Sequence, residues 1–210
     1  SMTSTATAAM DGFGRVRASA SATISNASSN LGYTTVGSYG MRTQAQFSSA
    51  QTPGQVVFNF TVSGTSSIAY GLGVMRLDFL ADSSSSGSFF DVFGGSALHA
   101  TGPGTFSFTY TGSTASPLDI LFYAAAGVLI GSPDYPDAAD GATFTDFVDF
   151  SHTFDLTSID LFTADGAAIT DWTMTDLATN QVVFTQNGRI EAAVPGPAAL
   201  GLLALGAAGL

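Results

Sequence analysis

The sequence predicts an all-β protein, an antiparallel β-sandwich of jelly-roll type with a short apolar helix at its C-terminus. Three observations carry that prediction. Apolar and polar residues alternate with period two in one run after another, which is the signature of half-buried strands. Turn signals rich in Gly, Pro, Asn and Asp return about every ten residues, as in sandwiches. No stretch before Pro195 has a helical period. With 210 residues, 45% apolar content and 17 Phe, the chain can bury one sizeable core. The reading places a single domain over residues 12–186, a linker over 187–193 and a tail over 194–210, with roughly eight to eleven strands in the domain.

The elements follow in order. "RVRASASATIS", residues 15–25, sets Val16, Ala18, Ala20, Ala22 and Ile24 on one face against Arg15, Arg17, Ser19, Ser21 and Thr23. "NASSNLG" is turn material. "YGMRTQAQF" alternates again, with Tyr39, Met41, Thr43, Ala45 and Phe47 opposite Arg42, Gln44 and Gln46, until "TPG" breaks the chain. "QVVFNFTVSG" points Val56, Phe58, Phe60 and Val62 inward. In "SIAYGLGVMRLDFLAD" the apolar face runs through Ile68, Tyr70, Leu72 and Val74 and then switches to Met75, Leu77 and Phe79, which predicts a bulge or bend near Gly73.

After the "SSSSG" loop come short strands at "SFFDVF" and "TFSFTYT", then "PLDILFYAAAGVLI", whose Ala-Gly run predicts a bend or a closing helical turn. "GSPDYPDAADG" cannot be regular. The last third returns to strands at "TFTDFVDFSHTFDL", "SIDLFTAD", "ITDWTMTD" and "NQVVFTQ".

Charge narrows the function classes. Five Arg and no Lys face sixteen carboxylates, for a net charge of −11. Such a surface repels phosphate backbones, so nucleic acid is excluded as a partner class. The absence of Cys removes disulfides, thiolate metal sites and cysteine nucleophiles together. A low charged fraction with Gly, Ser, Thr and Ala in its place is the composition of an exported bacterial β protein. The opening "SMTSTATAAMDGFG" lacks the basic and apolar regions of a signal peptide.

Candidate chemistry is sparse. Asp134, Asp137 and Asp140 on an irregular loop are the candidate metal ligands, because carboxylates three residues apart can turn hard oxygens toward one Ca²⁺; the spacing fits no calcium-loop rule, and a solvated acidic loop is the plainer reading. No other cofactor is expected. His152 lies in phase with Phe150 and Phe154 and reads as a packed residue, and His99 beside a Gly-Pro turn reads as exposed. The G-x-S-x-G elbow of serine hydrolases is missing. Glu191 is the sole Glu, so a glycosidase pair would need two Asp at about 5–9 Å. Trp172 with Tyr33, Tyr39, Tyr110, Tyr123 and Tyr135 offers a sugar-stacking platform, although Trp172 in alternation with Met174 and Thr170 reads more simply as core. The sequons at Asn26 and Asn59 read as chance. No catalytic residue is assigned, and the chain reads as a non-enzyme; the alternative is a secreted carbohydrate-active hydrolase or a carbohydrate-binding module.

The chain closes on "AAVPGPAALGLLALGAAGL", residues 192–210, without a charge. The thirteen residues from Ala198 to Leu210 span about 20 Å as a helix, short of the 30 Å or so of a bilayer core. Pro195 and Pro197 stop the preceding strand. This stretch resembles the PEP-CTERM sorting signal of Gram-negative bacteria, in which a Val-Pro-Glu-Pro-Ala box precedes a short membrane helix and an Arg cluster. The matching box is Val194, Pro195, Gly196, Pro197 and Ala198. Gly196 departs from the family's usual Glu, and no Arg cluster follows Leu210, so the signal is expected to lack its basic end in this sequence. "DFSHTFDLTSIDLFTADGAAITDWTMT", residues 149–175, is similar to the strand pair that often precedes the signal, and "GRVRASASATISNAS" resembles the usual opening of such proteins.

The resemblance implies transient retention in the inner membrane, cleavage near the box by an exosortase, and delivery to the cell surface or the extracellular matrix. Exosortase is then the implied processing partner, exopolysaccharide the implied associate, and this chain the substrate of processing.

Overall fold

A computed structural model of the chain describes residues 2–10, 12–24, 33–68, 71–83, 98–130 and 143–191. Among them lie fourteen strands and no helix. They are β1 (Met2–Met10), β2 (Arg15–Ile24), β3 (Tyr33–Ser49), β4 (Gln55–Val62), β5 (Thr65–Ser67), β6 (Gly71–Asp82), β7 (Leu98–Ala100), β8 (Gly104–Thr111), β9 (Leu118–Ile130), β10 (Phe144–Phe162), β11 (Ala168–Ile169), β12 (Trp172–Asp176), β13 (Gln181–Thr185) and β14 (Gly188–Arg189). The short strands β5, β7, β11 and β14 account for the excess over the expected number. Pairing begins at Met2 and runs to Arg189, so strands lie on both sides of the 12–186 span. The tail helix, the "SFFDVF" strand and the "NASSNLG" turn fall outside the described residues.

All pairings are antiparallel, in two sheets. Sheet A has the order β1-β2-β10-β4-β8, with β5 and β11 pairing β10 as well; sheet B runs β14-β13-β12-β3-β9-β6-β7. Removing the edge additions leaves β2-β10-β4-β8 over β3-β9-β6-β7. The chain passes from one sheet to the other at β2–β3, β3–β4, β5–β6, β7–β8, β8–β9, β9–β10 and β11–β12, as in a jelly roll, while β6 and β7 both belong to sheet B. The all-β sandwich is therefore the fold. Between the sheets sit Val16, Ala18, Ala20 and Ala22 of β2, Val56, Phe58, Phe60 and Val62 of β4, and Phe47 of β3, on the faces the alternation predicts. Phe58, Phe60, Phe79, Phe122, Phe154 and Phe184 are the largest fully buried rings.

Three local expectations need correction. β6 pairs with β9 in unbroken register from Gly71↔Ile130 to Asp82↔Asp119, so there is no bulge near Gly73. Gly73 stands in phase with Met75, Leu77 and Phe79 because its side-chain space is already filled. A Cβ there would lie 2.8 Å from Val148 Cγ2 and 3.0 Å from Ile68. The missing side chain mimics a change of face. Second, "AAAGVLI" neither bends nor turns helical: β9 is strand throughout, pairing β3 on one side and β6 on the other. From Leu118 to Val128 only Tyr123 is not buried. A strand covered on both faces reads as a continuous apolar run, which periodicity alone cannot tell from a buried helix.

The third correction concerns β10, which reads as two strands in sequence and is one of 19 residues. Against β4, Leu156 faces Phe60 and Ser158 faces Asn59, so two steps along β10 match one along its neighbour. That bulge at Thr157 flips the parity, and the buried set passes from Phe154 and Leu156 to Ile159 and Leu161. The Thr157 hydroxyl donates to the Asn59 carbonyl at 3.0 Å and holds the bulge.

Where β1 crosses β3 the backbones nearly touch. A Cβ on Gly37 would sit 2.7 Å from the Thr7 carbonyl oxygen and 2.9 Å from Thr7 N. Only glycine admits that approach.

Candidate functional site

The outer face of sheet B gathers the chemistry. On that face β3 presents Arg42 and Gln44, β9 presents Asp119, Leu121, Tyr123 and Ala125, and β6 presents Arg76, Asp78, Leu80 and Asp82. Register makes rows of these: Gln44, Asp119 and Asp82 lie side by side across three strands, Arg42, Leu121 and Leu80 form the next row, and Gly40, Tyr123 and Asp78 the one after. His99 on β7 is opposite Asp78 in register. The face is buried along β9 and at Asp78 and exposed at Arg42, Gln44 and Arg76. Leu121 is 2% exposed, Asp119 5% and Asp78 0%.

Carboxylates this deep need fixed partners. Arg42 donates from Nη2 to Asp119 Oδ2 at 3.0 Å, and Arg76 donates from Nε to Asp78 Oδ2 at 2.5 Å. Asp82 Oδ1 accepts the Ser83 backbone N–H at 2.6 Å.

Beside the first pair lies an open groove of about 400 Å³ lined by Arg42, Thr43, Gln44, Asp119, Leu177 and Ala178. Its far wall is the turn between β12 and β13, which Asp176 builds. The buried Asp176 carboxylate accepts the Thr43 hydroxyl, the Thr179 hydroxyl at 2.8 Å and the Ala178 N–H at 3.2 Å. The turn then passes Asn180 at φ 55°, a left-handed conformation that Asn tolerates. The Leu177 N–H donates to the Gln44 carbonyl at 2.8 Å, and this leaves the Leu177 side chain exposed at the rim. The groove thus offers a guanidinium, a carboxylate, an amide and an aliphatic patch within one concavity. That mixture suits a neutral polyhydroxylated ligand, whose hydroxyls need both donors and acceptors and whose C–H faces need apolar cover.

A second structure joins the two ends of the described chain. Arg189 donates from Nε to the Phe13 carbonyl at 2.9 Å, from Nη2 to the Leu156 carbonyl at 2.7 Å and from Nη2 to the Asp155 carboxylate. Its guanidinium lies 5.4 Å from the Phe184 ring centroid. Arg15 meets Asp155 at 3.6 Å and Glu191 at 3.3 Å. In the sequence Arg15 reads as part of a polar strand face and Arg189 as a counted charge; nothing local joins residues so far apart.

The expected sites divide as follows. The sorting box Val194, Pro195, Gly196, Pro197 and Ala198 and the acidic loop Asp134, Asp137 and Asp140 lie outside the described residues. Among those described, no three His, Cys, Asp or Glu residues converge as a metal site would require. Trp172 is core, packed edge-on to Phe47 at 6.0 Å, and Tyr110 is buried with its hydroxyl donating to the Ser113 carbonyl at 3.3 Å. They form no platform with Tyr123, which is on the opposite side of sheet B from the core. Asn59 of the second sequon holds the outer face of sheet A, accepting from Ser107 at 2.7 Å and donating to Ser158 at 3.1 Å and Asp160 at 2.8 Å. The row joining Gln44, Asp119 and Asp82 was missed, because only the strand order brings β3, β9 and β6 together. Comparison with protein-family models, with curated proteins and with solved structures finds no match to the chain.

Proposed function

We propose that this chain is an exported cell-surface or matrix protein, delivered through its C-terminal sorting signal, and that the groove beside Arg42 and Asp119 holds exopolysaccharide. The observation that carries the sorting part is the position of the Arg189 network. It ties β14 to the β1–β2 turn and to β10 just before the charge-free stretch at 192–210, so the sandwich is closed ahead of the tail. A network completed by Glu191 supports a tail that is available to be read and cut.

Deletion of 192–210 is expected to change stability by no more than about 0.5 kcal/mol, or roughly 1–2 °C in Tm. In a host with an exosortase, and with an Arg cluster appended after Leu210, Pro195→Ala with Pro197→Ala should accumulate as an uncut, membrane-held form. A deletion that unfolds the sandwich, or a double variant released at the normal rate, refutes the sorting reading.

One observation favours a second reading, a polysaccharide hydrolase: Asp82 lies directly opposite Asp119 in register. Cβ atoms so placed are about 5 Å apart, within reach of the carboxyl spacing of glycosidases. The Arg42 partner of Asp119 favours binding instead, since the guanidinium already occupies the Asp119 Oδ2 that a catalytic carboxylate would present to substrate. A panel of acidic and neutral polysaccharides separates the two. Binding without turnover, weakened about tenfold or more by Arg42→Ala, supports the first. Turnover abolished by Asp119→Asn establishes the second.

A further inference from the structure

Among the described residues β8 is an edge of sheet A. Its hydrogen-bonded neighbour among the described residues is β4, in unbroken register from Val62↔Gly104 to Gln55↔Thr111. One row of its backbone N–H and C=O groups therefore has no partner strand among the described residues. Natural edge strands are guarded by shortness, by Lys or Pro, or by a bulge. The other edges of this sandwich are guarded. β14 and β7 have two and three residues, and β1 is crowded by β3, whose Gly37 meets the Thr7 backbone. β8 has eight residues, no charge, no proline and no bulge.

The sequence of β8 also says what would cover it. Residues 105–111 read T-F-S-F-T-Y-T, hydroxyl and aromatic in strict alternation, and the pattern is the same from either end about Phe108. Thr105, Ser107, Thr109 and Thr111 are exposed, whereas Phe106, Phe108 and Tyr110 turn toward the core. A strand that is its own mirror in this sense is complementary to an antiparallel copy of itself.

We propose that β8 pairs with β8 of a second copy of this chain about a two-fold axis at Phe108. Thr105 then faces Thr111 of the other copy, Phe106 faces Tyr110, and Ser107 faces Thr109. Hydroxyls meet hydroxyls on the outer face and rings meet rings on the inner one, both of them favourable cross-strand pairs. A slip of one residue would set every ring against a hydroxyl, so the register is specified. The two copies carry −11 each and repel. Neither β8 nor its neighbour β4 contains a charged residue, so this border is where two such molecules can close to hydrogen-bonding distance. The contact is isologous and uses up the edge, which ends assembly at the dimer.

Sedimentation equilibrium of the full chain is the test. It should report about twice the 21.3 kDa chain mass, falling to the monomer at equal concentration for Ser107→Lys with Thr109→Lys. These exposed positions place Lys opposite Lys only in the dimer, so the variant should keep its circular dichroism, and its melt should match that of the unaltered chain diluted to the monomer, within the small loss of the Ser107 bond to Asn59. A matched control, Thr5→Lys with Thr7→Lys, removes equivalent outward hydroxyl bonds on β1 and should leave the dimer intact. For the register, Ser107→Cys mixed with Thr109→Cys in this Cys-free chain should cross-link faster on oxidation than either variant alone. A monomeric full chain, or association that survives the β8 lysines and so belongs to another surface such as the apolar tail, overturns the pairing. Equal cross-linking rates overturn the register.

Discussion

Phe79→Ala is expected to remove about 3–5 kcal/mol of unfolding free energy, and to lower Tm by roughly 10 °C in a domain of this size. Phe79 is fully buried, and four rings surround it. Phe60 lies 4.6 Å away by ring centroids, Phe58 5.0 Å, Phe122 5.1 Å and Phe108 5.3 Å. Three of these come from sheet A, whereas Phe79 itself belongs to sheet B, so its loss opens a cavity at the join between layers. Neighbouring rings are held by strands on fixed registers and cannot collapse into the space, which puts the cost in the upper part of the usual range. Urea denaturation should show a lower midpoint with an unchanged slope, and Phe79→Leu should cost less because it leaves a smaller void. A loss below about 1 kcal/mol for the alanine variant would mean that the ring cluster is not what holds the layers together.

Arg189→Ala is the second large effect, about 3 kcal/mol, at the lower end of what breaking a buried pair costs. The lower end applies because Asp155 is 23% exposed and keeps Arg15 at 3.6 Å. What the variant strands is the Phe13 and Leu156 carbonyls, each of which loses a charged donor. Arg189→Lys should recover only part of the loss, since one ammonium cannot answer three acceptors that the planar fork reaches together. Combining Arg189→Ala with Asp155→Asn should cost less than the sum of the two single changes. Additive losses would show that the two side chains are not coupled.

How much of this could be read beforehand depends on how local each cause is. The faces of β2, β3 and β4 were legible because alternation is written in adjacent residues and each strand buries one side. β9 was misread because both its sides are covered, which erases the alternation. β10 was divided because the bulge at Thr157 breaks its parity, and Gly73 passed for a bend because neighbours fill its place. The groove was legible only in pieces. Arg42 and Gln44 were placed together on one face of β3, but nothing in the linear order sets Asp119 beside them, or Asp82 beside Asp119. Asp176 gave no sign that it builds the turn behind the groove. Its partners are Thr43, from the opposite end of the chain, and groups that follow it in the turn.

β10 lies between β2 and β4 and also pairs β5 and β11. It is made late, from residues 144–162, yet strands made much earlier hydrogen-bond to it on both sides. Sheet A therefore stays in two parts, the β1–β2 pair and the β4–β8 pair, until β10 arrives to join them. Such a high contact order makes folding slow. A chain emerging from a ribosome stays open for most of its synthesis, with the last-made long strand setting the moment of closure; under the export proposed above, that delay would keep the polypeptide threadable.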